Sequence, residues 1–171
     1  MSNLFRTKND LPERTRAEVV TLLNQRLADA IDLQSQCKQA HWNVKGDTFI
    51  ALHELFDKIN EDVEDYVDLI AERSVQLGGT AEGTVRMVAK RSLLSEYSPL
   101  SAIAKDHIEA LSHALATFGE YVRQGITSAD TLNDADTADI FTEISRGVDK
   151  WLWMVEAHSV TAREAGGRSS T

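Results

Sequence analysis

The stretch 53-HELFDKINEDVEDYVDLIAE-72 contains no glycine or proline over twenty residues, so it reads as one uninterrupted helix. Successive residues turn by about 100°, so with His53 set at zero Asp57 falls at about 40°, Glu61 at about 80°, Glu64 at about 20°, Asp68 at about 60° and Glu72 at about 100°. Leu52, Leu55, Phe56, Ile59, Val63, Val67 and Ile70 fall between about 200° and about 320°. The helix therefore has one apolar arc for a core and one narrow arc of His, Asp and Glu.

Working outward, three more segments have the same helical period. The first runs from about Pro12 to Asn43, with Val20, Leu23, Leu27, Ala30 and Ile31 in one stripe and His41 projecting onto it. The quoted stretch belongs to a second helix, from about Asp47 to the stop at Gly78-Gly79. A third is expected from about Leu100 to Gln124, carrying Ile108, Leu111, Leu115, Phe118 and Val122. A fourth is expected from about Asp136 to Thr161, carrying Ile140, Ile144, Val148, Trp151 and Val155. Gly125 and the polar run 127-TSADTLNDAD-136 are read as the break between these two.

The second and third helices are joined by about twenty residues, long for a connection in a compact bundle, with room for a short helix near Val85 to Arg91. Four helices with one long crossover is an all-α, ferritin-like bundle. The expected organisation is a single domain over 1–171, with an N-terminal tail at 1–11, the bundle at 12–161 and a flexible tail at 162–171.

Composition excludes several functions. With 27 Asp+Glu against 18 Lys+Arg the net charge is -9, which favours cations over nucleic acid. One cysteine, Cys37, permits no intrachain disulfide and reads as a buried inert thiol in a reducing compartment. No run approaches the ~18 apolar residues of a membrane span, and the N-terminus lacks an apolar signal core. A cytoplasmic or nucleoid-associated protein with no membrane partner is expected.

The acidic arc has two readings on its residues alone. It is a solvated face, or it is a row of metal ligands. A solvated face normally mixes Lys with Glu at i,i+4, whereas this arc carries no Lys or Arg. A single metal site cannot use all of it, because Asp57 and Asp68 are about 16.5 Å apart along the helix. The numbering offers a way out. The pairs 53/72 and 57/68 share one midpoint, between Asp62 and Val63. An antiparallel copy of the helix about a two-fold axis there sets His53 and Asp57 beside Asp68 and Glu72 of the other subunit, and two equal sites result. Nitrogen and carboxylate ligands without thiolate favour iron, manganese or zinc. No histidine has a glutamate three residues before it, so a Glu-x-x-His site inside one bundle is disfavoured.

The segments 38-KQAHWNVKGDTFIALHELFD-57 and 68-DLIAERSVQLGG-79, with their His, Asp and Glu spacing, resemble the Dps family of mini-ferritins. The resemblance extends over most of the chain. It implies a homododecamer built from two-fold dimers that oxidises Fe(II), preferably with hydrogen peroxide and otherwise with O2, and stores ferric mineral; Zn(II) can substitute, and two irons can occupy each site. It places His41, His53 and Asp57 on one subunit and Asp68 and Glu72 on its partner. It sets Trp42 nearby as a redox residue. Glu61 and Glu64 face the same way nearer the axis, as accessory acids that guide iron or nucleate mineral, or as mere cover for the cavity wall. The resemblance also implies a negative three-fold pore near Asp130, Asp134, Asp136 and Asp139. Asp136 and Asp139 are the pore candidates, and another of the four is a helix cap.

DNA binding in that family usually depends on basic tails. Here Arg6, Lys8, Arg14 and Arg16 stand against Asp10 and Glu13, and Arg163 and Arg168 against Glu164. These charges are sparse, so weak or absent DNA binding is expected. The alternative is a nucleoid-associated structural protein with incidental iron. His107, His113 and His158 have no ligand context and are read as structural or surface groups.

Overall fold

The computed structural model describes residues 4–98 and 103–159. They form α1 (Glu13–Asn43), α2 (Phe49–Gln76), α3 (Val85–Arg91), α4 (Ala104–Thr131) and α5 (Ala135–Glu156), with no strand among the described residues. The antiparallel hairpins α1–α2 and α4–α5 pack together, α1 against α4 and α2 against α5, and α3 lies on α1. The long helices bury the stripes anticipated above, with Leu23, Leu27, Phe56, Ile59, Leu111, Phe118, Phe141 and Ile144 shielded from solvent. Ile31 and Ile140 lie only half-buried, at the edge of the core.

The crossover leaves α2 at one end of the bundle and returns to α4 at the other. The isolated bridge between Lys45, in the α1–α2 turn, and Ile103, just before α4, marks the far end. Spanning a 28-residue helix, about 42 Å long, is why the connection is long. Its short helix, α3, of 7 residues, covers the sequence-predicted span.

Three boundaries depart from the sequence reading. α2 starts at Phe49, because Gly46 takes φ 117° and residues 46–48 form the turn. α4 does not stop at Gln124; it continues through Gly125 to Thr131. Gly125 is a contact point, not a break: a Cβ there would meet the Phe141 ring at 3.0 Å, so its absence lets α5 approach. The turn is confined to residues 132–134, with Asn133 at φ 58°. α5 ends at Glu156, and the expected end at Thr161, the start at Leu100 and the tail 162–171 lie outside the described residues.

Residues 4–11 lie on the bundle. Phe5 N–H donates to Gly78 O at 2.7 Å, and Leu4 and Leu11 pack on the core. Arg16 is buried; its guanidinium donates to Leu11 O and Leu77 O.

Candidate metal centre between two helices

α1 ends and α2 begins beside each other, so His41 in the last turn of α1 meets His53 in the second turn of α2. Each ring reaches across to the other's main chain: His41 Nδ1 is 2.8 Å from His53 O, and His53 Nδ1 is 2.9 Å from His41 O. The rings stack with centroids 3.7 Å apart and planes 22° from parallel. A carbonyl oxygen only accepts, so both Nδ1 atoms carry protons. That leaves Nε2 as the lone-pair nitrogen of both rings, the tautomer of a metal-ligating histidine held by an outer hydrogen bond. Phe49 flanks His53, with ring centroids 5.0 Å apart.

Asp57 lies one turn beyond His53, its Oδ1 3.8 Å from His41 Nδ1. The same oxygen accepts a 2.6 Å hydrogen bond from Lys38 Nζ. This ammonium group, with lesser help from His41 and His53, holds the Asp57 carboxyl below its usual range. Lys38 also lies 5.9 Å from the Trp42 ring centre. The sequence reading missed Lys38 because it searched for ligands. The signal was present: Lys38 is three residues before His41 and four before Trp42, so it shares their face.

Among the described residues, no three His, Cys, Asp or Glu side chains converge within the chain as a metal site. α1 and α2 set His41, His53 and Asp57 beside one another without making such a site. Asp68 and Glu72 are exposed toward the other end of α2, and Glu61 and Glu64 are exposed between. Trp42 is 67% exposed beside His41.

The end of α2 is held from inside. Arg73, next to Glu72, is buried; its guanidinium donates to Asp134 Oδ1 at 2.7 Å and to Thr137 Oγ1 at 3.0 Å. Asp134 is also the α5 N-cap, accepting from Thr137 N–H at 3.1 Å. Of the four aspartates of this corner, Asp134 is thus the cap. Asp130, Asp136 and Asp139 are exposed, and Asp136 lies 3.6 Å from Arg73.

The remaining histidines and the thiol have other surroundings. His107 is buried, with Nδ1 2.5 Å from the Tyr97 hydroxyl. His113 is exposed, and His158 Nδ1 donates to Met154 O. Cys37 is buried, and burial pushes its thiol up to about 12.

A helical bundle with a long crossover has the ferritin-like topology, and the ferritin-like domain family matches residues 20–165. The chain is 44% identical over 153 residues to a DNA protection during starvation protein of Agrobacterium fabrum, covering 90% of this chain and 94% of that one. A protein of the same name from Mycolicibacterium smegmatis is 31% identical over 158 residues, covering 92% and 84%. Among solved structures, Mycobacterium smegmatis Dps in its tetragonal form superposes with a TM-score of 0.88 at 30% identity, covering 97% and 99%. DpsC from Streptomyces coelicolor superposes with a TM-score of 0.89 at 27% identity, covering 93% of each chain. The chain belongs to the Dps family. That membership points to iron storage and protection of DNA. Among the described residues, no helix is long and apolar enough to cross a membrane.

Proposed function

We propose that this chain is the subunit of a cytoplasmic cage that oxidises Fe(II) and stores the ferric product. The observation that carries the reading is the reciprocal His41–His53 lock, which prepares two imidazole nitrogens for a cation beside the carboxylate of Asp57. Asp68 and Glu72 of a two-fold partner complete each site, and twelve chains assemble from such dimers. Iron is the substrate. Carboxylates hold Fe(III) more strongly than Fe(II), so the ligand set favours oxidation. Two ferrous ions each give one electron to one hydrogen peroxide, which takes up two protons and leaves as two waters. O2 serves as the slower oxidant. Trp42 takes up a stray oxidising equivalent, Asp136 and Asp139 guide iron inward, and Glu61 and Glu64 receive it. Zn(II) binds the same ligands without redox chemistry.

Lys38 adds a gate to this scheme. It occupies the Asp57 oxygen that a cation needs, so Fe(II) must displace the ammonium group to use that ligand.

The test is subunit complementation. His41→Ala and Asp68→Ala each remove a ligand from both sites of a homodimer. A mixed dimer has one site lacking both ligands and one site lacking neither. Dissociating and co-assembling the two inactive variants therefore restores about a quarter of the wild-type sites. Peroxide-driven ferrous oxidation in the mixture is the expected result. Full activity of either variant alone, or none in the mixture, overturns the shared site.

A second reading, binding to DNA, draws on the names of the relatives. Against it stand the net charge and the internal use of Arg16. Arg14 pairs with Glu18. A gel shift at physiological salt is expected to show weak binding or none.

A further inference from the structure

Two strongly exposed apolar residues lie on α2, Ile50 at 60% and Val75 at 57%. Neither belongs to the apolar arc that faces the core. With His53 at zero, Ile50 falls at about 60° and Val75 at about 40°, in the middle of the acidic arc. They close that arc at its two ends. Their midpoint is again the point between Asp62 and Val63, shared by 53/72, 57/68 and also 61/64. The ligand pairs did not require this. The apolar residues follow the same symmetry independently.

Their surroundings are also complementary. Ile50 and its chain neighbour Phe49, 37% exposed, leave apolar surface uncovered at that end of the helix. Val75 lines a shallow cavity of about 440 Å³ with Ala71, Glu72, Gln76 and Ala81, a recess at the other end to which the two alanines give room. An exposed apolar side chain at one end and a recess at the other, equidistant from one axis, is the form of a self-complementary isologous surface.

We propose that Ile50 of one chain seats in the Val75 recess of a second copy, and that this contact, made twice per dimer, holds and closes the shared iron sites. The inference rests on the two-fold reading above. Pairing the acidic arcs alone brings ten carboxylates together, five from each chain, and like charges repel. The apolar ends supply the burial that the arc lacks. They lie about 19 Å from the axis, outside His53 and Glu72 at about 14 Å, so each contact covers the outer end of one site. Glu72 lines the recess itself, so seating Ile50 also sets the side chain beside which Fe(II) binds.

The experiment is disulfide trapping in the full chain. On one helix Ile50 and Val75 are about 37 Å apart, so cysteines there cannot link within a chain. Antiparallel helices with axes about 8–10 Å apart bring facing Cα atoms to about 5 Å, within disulfide reach. The double variant Ile50→Cys with Val75→Cys is expected to give a covalent dimer on mild oxidation. Either single variant is expected to remain monomeric on a non-reducing gel, with buried Cys37 silent. Absence of the link in the double variant, or equal linking in a single variant, overturns the proposal. Ile50→Glu serves as the second test and is expected to shift size-exclusion elution toward the monomer; unchanged assembly also counts against the contact. A trapped dimer with failed complementation leaves the interface and removes the iron reading, whereas complementation without trapping removes only this contact.

Discussion

The two ends of α2 carry similar candidate ligands and are held by different means. At the N-terminal end, His41, His53, Asp57 and Lys38 bind one another at a half-exposed surface. At the C-terminal end, Asp68 and Glu72 are exposed and make no hydrogen bond or ion pair among the described residues. The helix beneath them is instead fastened from within by Arg73, by Arg16 on Leu77 O and by Phe5 on Gly78. One end has its side chains prearranged; the other has a rigid backbone and unengaged carboxylates. The difference suits a site in which one subunit supplies an ordered half and the other supplies free negative charge.

The largest effect expected from breaking this comparison is chemical. Asp68→Ala touches no contact within the chain, yet it should reduce ferrous oxidation by peroxide by more than roughly 100-fold, since even outer partners of metal ligands cost about 10–100-fold. Its melting temperature should barely change. A stopped-flow assay beside a thermal melt checks both halves of that statement.

Arg73→Met should do the reverse. It leaves Asp134 buried without its partner, at a cost of about 3–5 kcal/mol. Denaturant unfolding measures that loss. A stability close to wild type would mean that the C-terminal end is held otherwise than by this pair.

Lys38→Gln should have a smaller effect. The Lys38–Asp57 pair is half-exposed, so solvent screens it and it contributes about 1 kcal/mol or less. Its loss should raise oxidation rates several-fold at limiting Fe(II) by freeing Asp57, with little change at saturation. The pH dependence has a definite sign. Asp57 is depressed when folded, so its contribution is complete above the unfolded carboxylate value of about 3.9 and is lost as pH falls through the lower folded value. Unfolding midpoints between pH 5 and 8 should therefore not change on this account.

The smallest expected effect is at Cys37. Burial holds its thiol near 12, so native protein at pH 8 should resist alkylation and unfolded protein should react at once. Mass spectrometry before and after denaturant distinguishes these.

Much of this was legible in the sequence because it depends on helical period. The apolar stripes, the arc from His53 to Glu72, the α3 span and the common midpoint need only a turn of about 100° per residue. Local sequence misled at Gly125, where glycine looks the same whether it ends a helix or admits a neighbouring ring. Asp134 and Asp136 are nearly adjacent and chemically identical in sequence. Only burial against Arg73 distinguishes the cap from the exposed acid.

By itself, then, the sequence determined four amphipathic helices, an acidic row too long for one metal and a symmetry that two chains can satisfy. Period and spacing are local properties of one helix, and they survive without knowledge of neighbours. The tertiary structure alone decided which imidazole nitrogens the His41–His53 bonds leave free, which lysine occupies Asp57, and that Ile50 and Val75 stay exposed. Those depend on distances between α1 and α2 and on what the bundle leaves uncovered, and no period within a single helix encodes them.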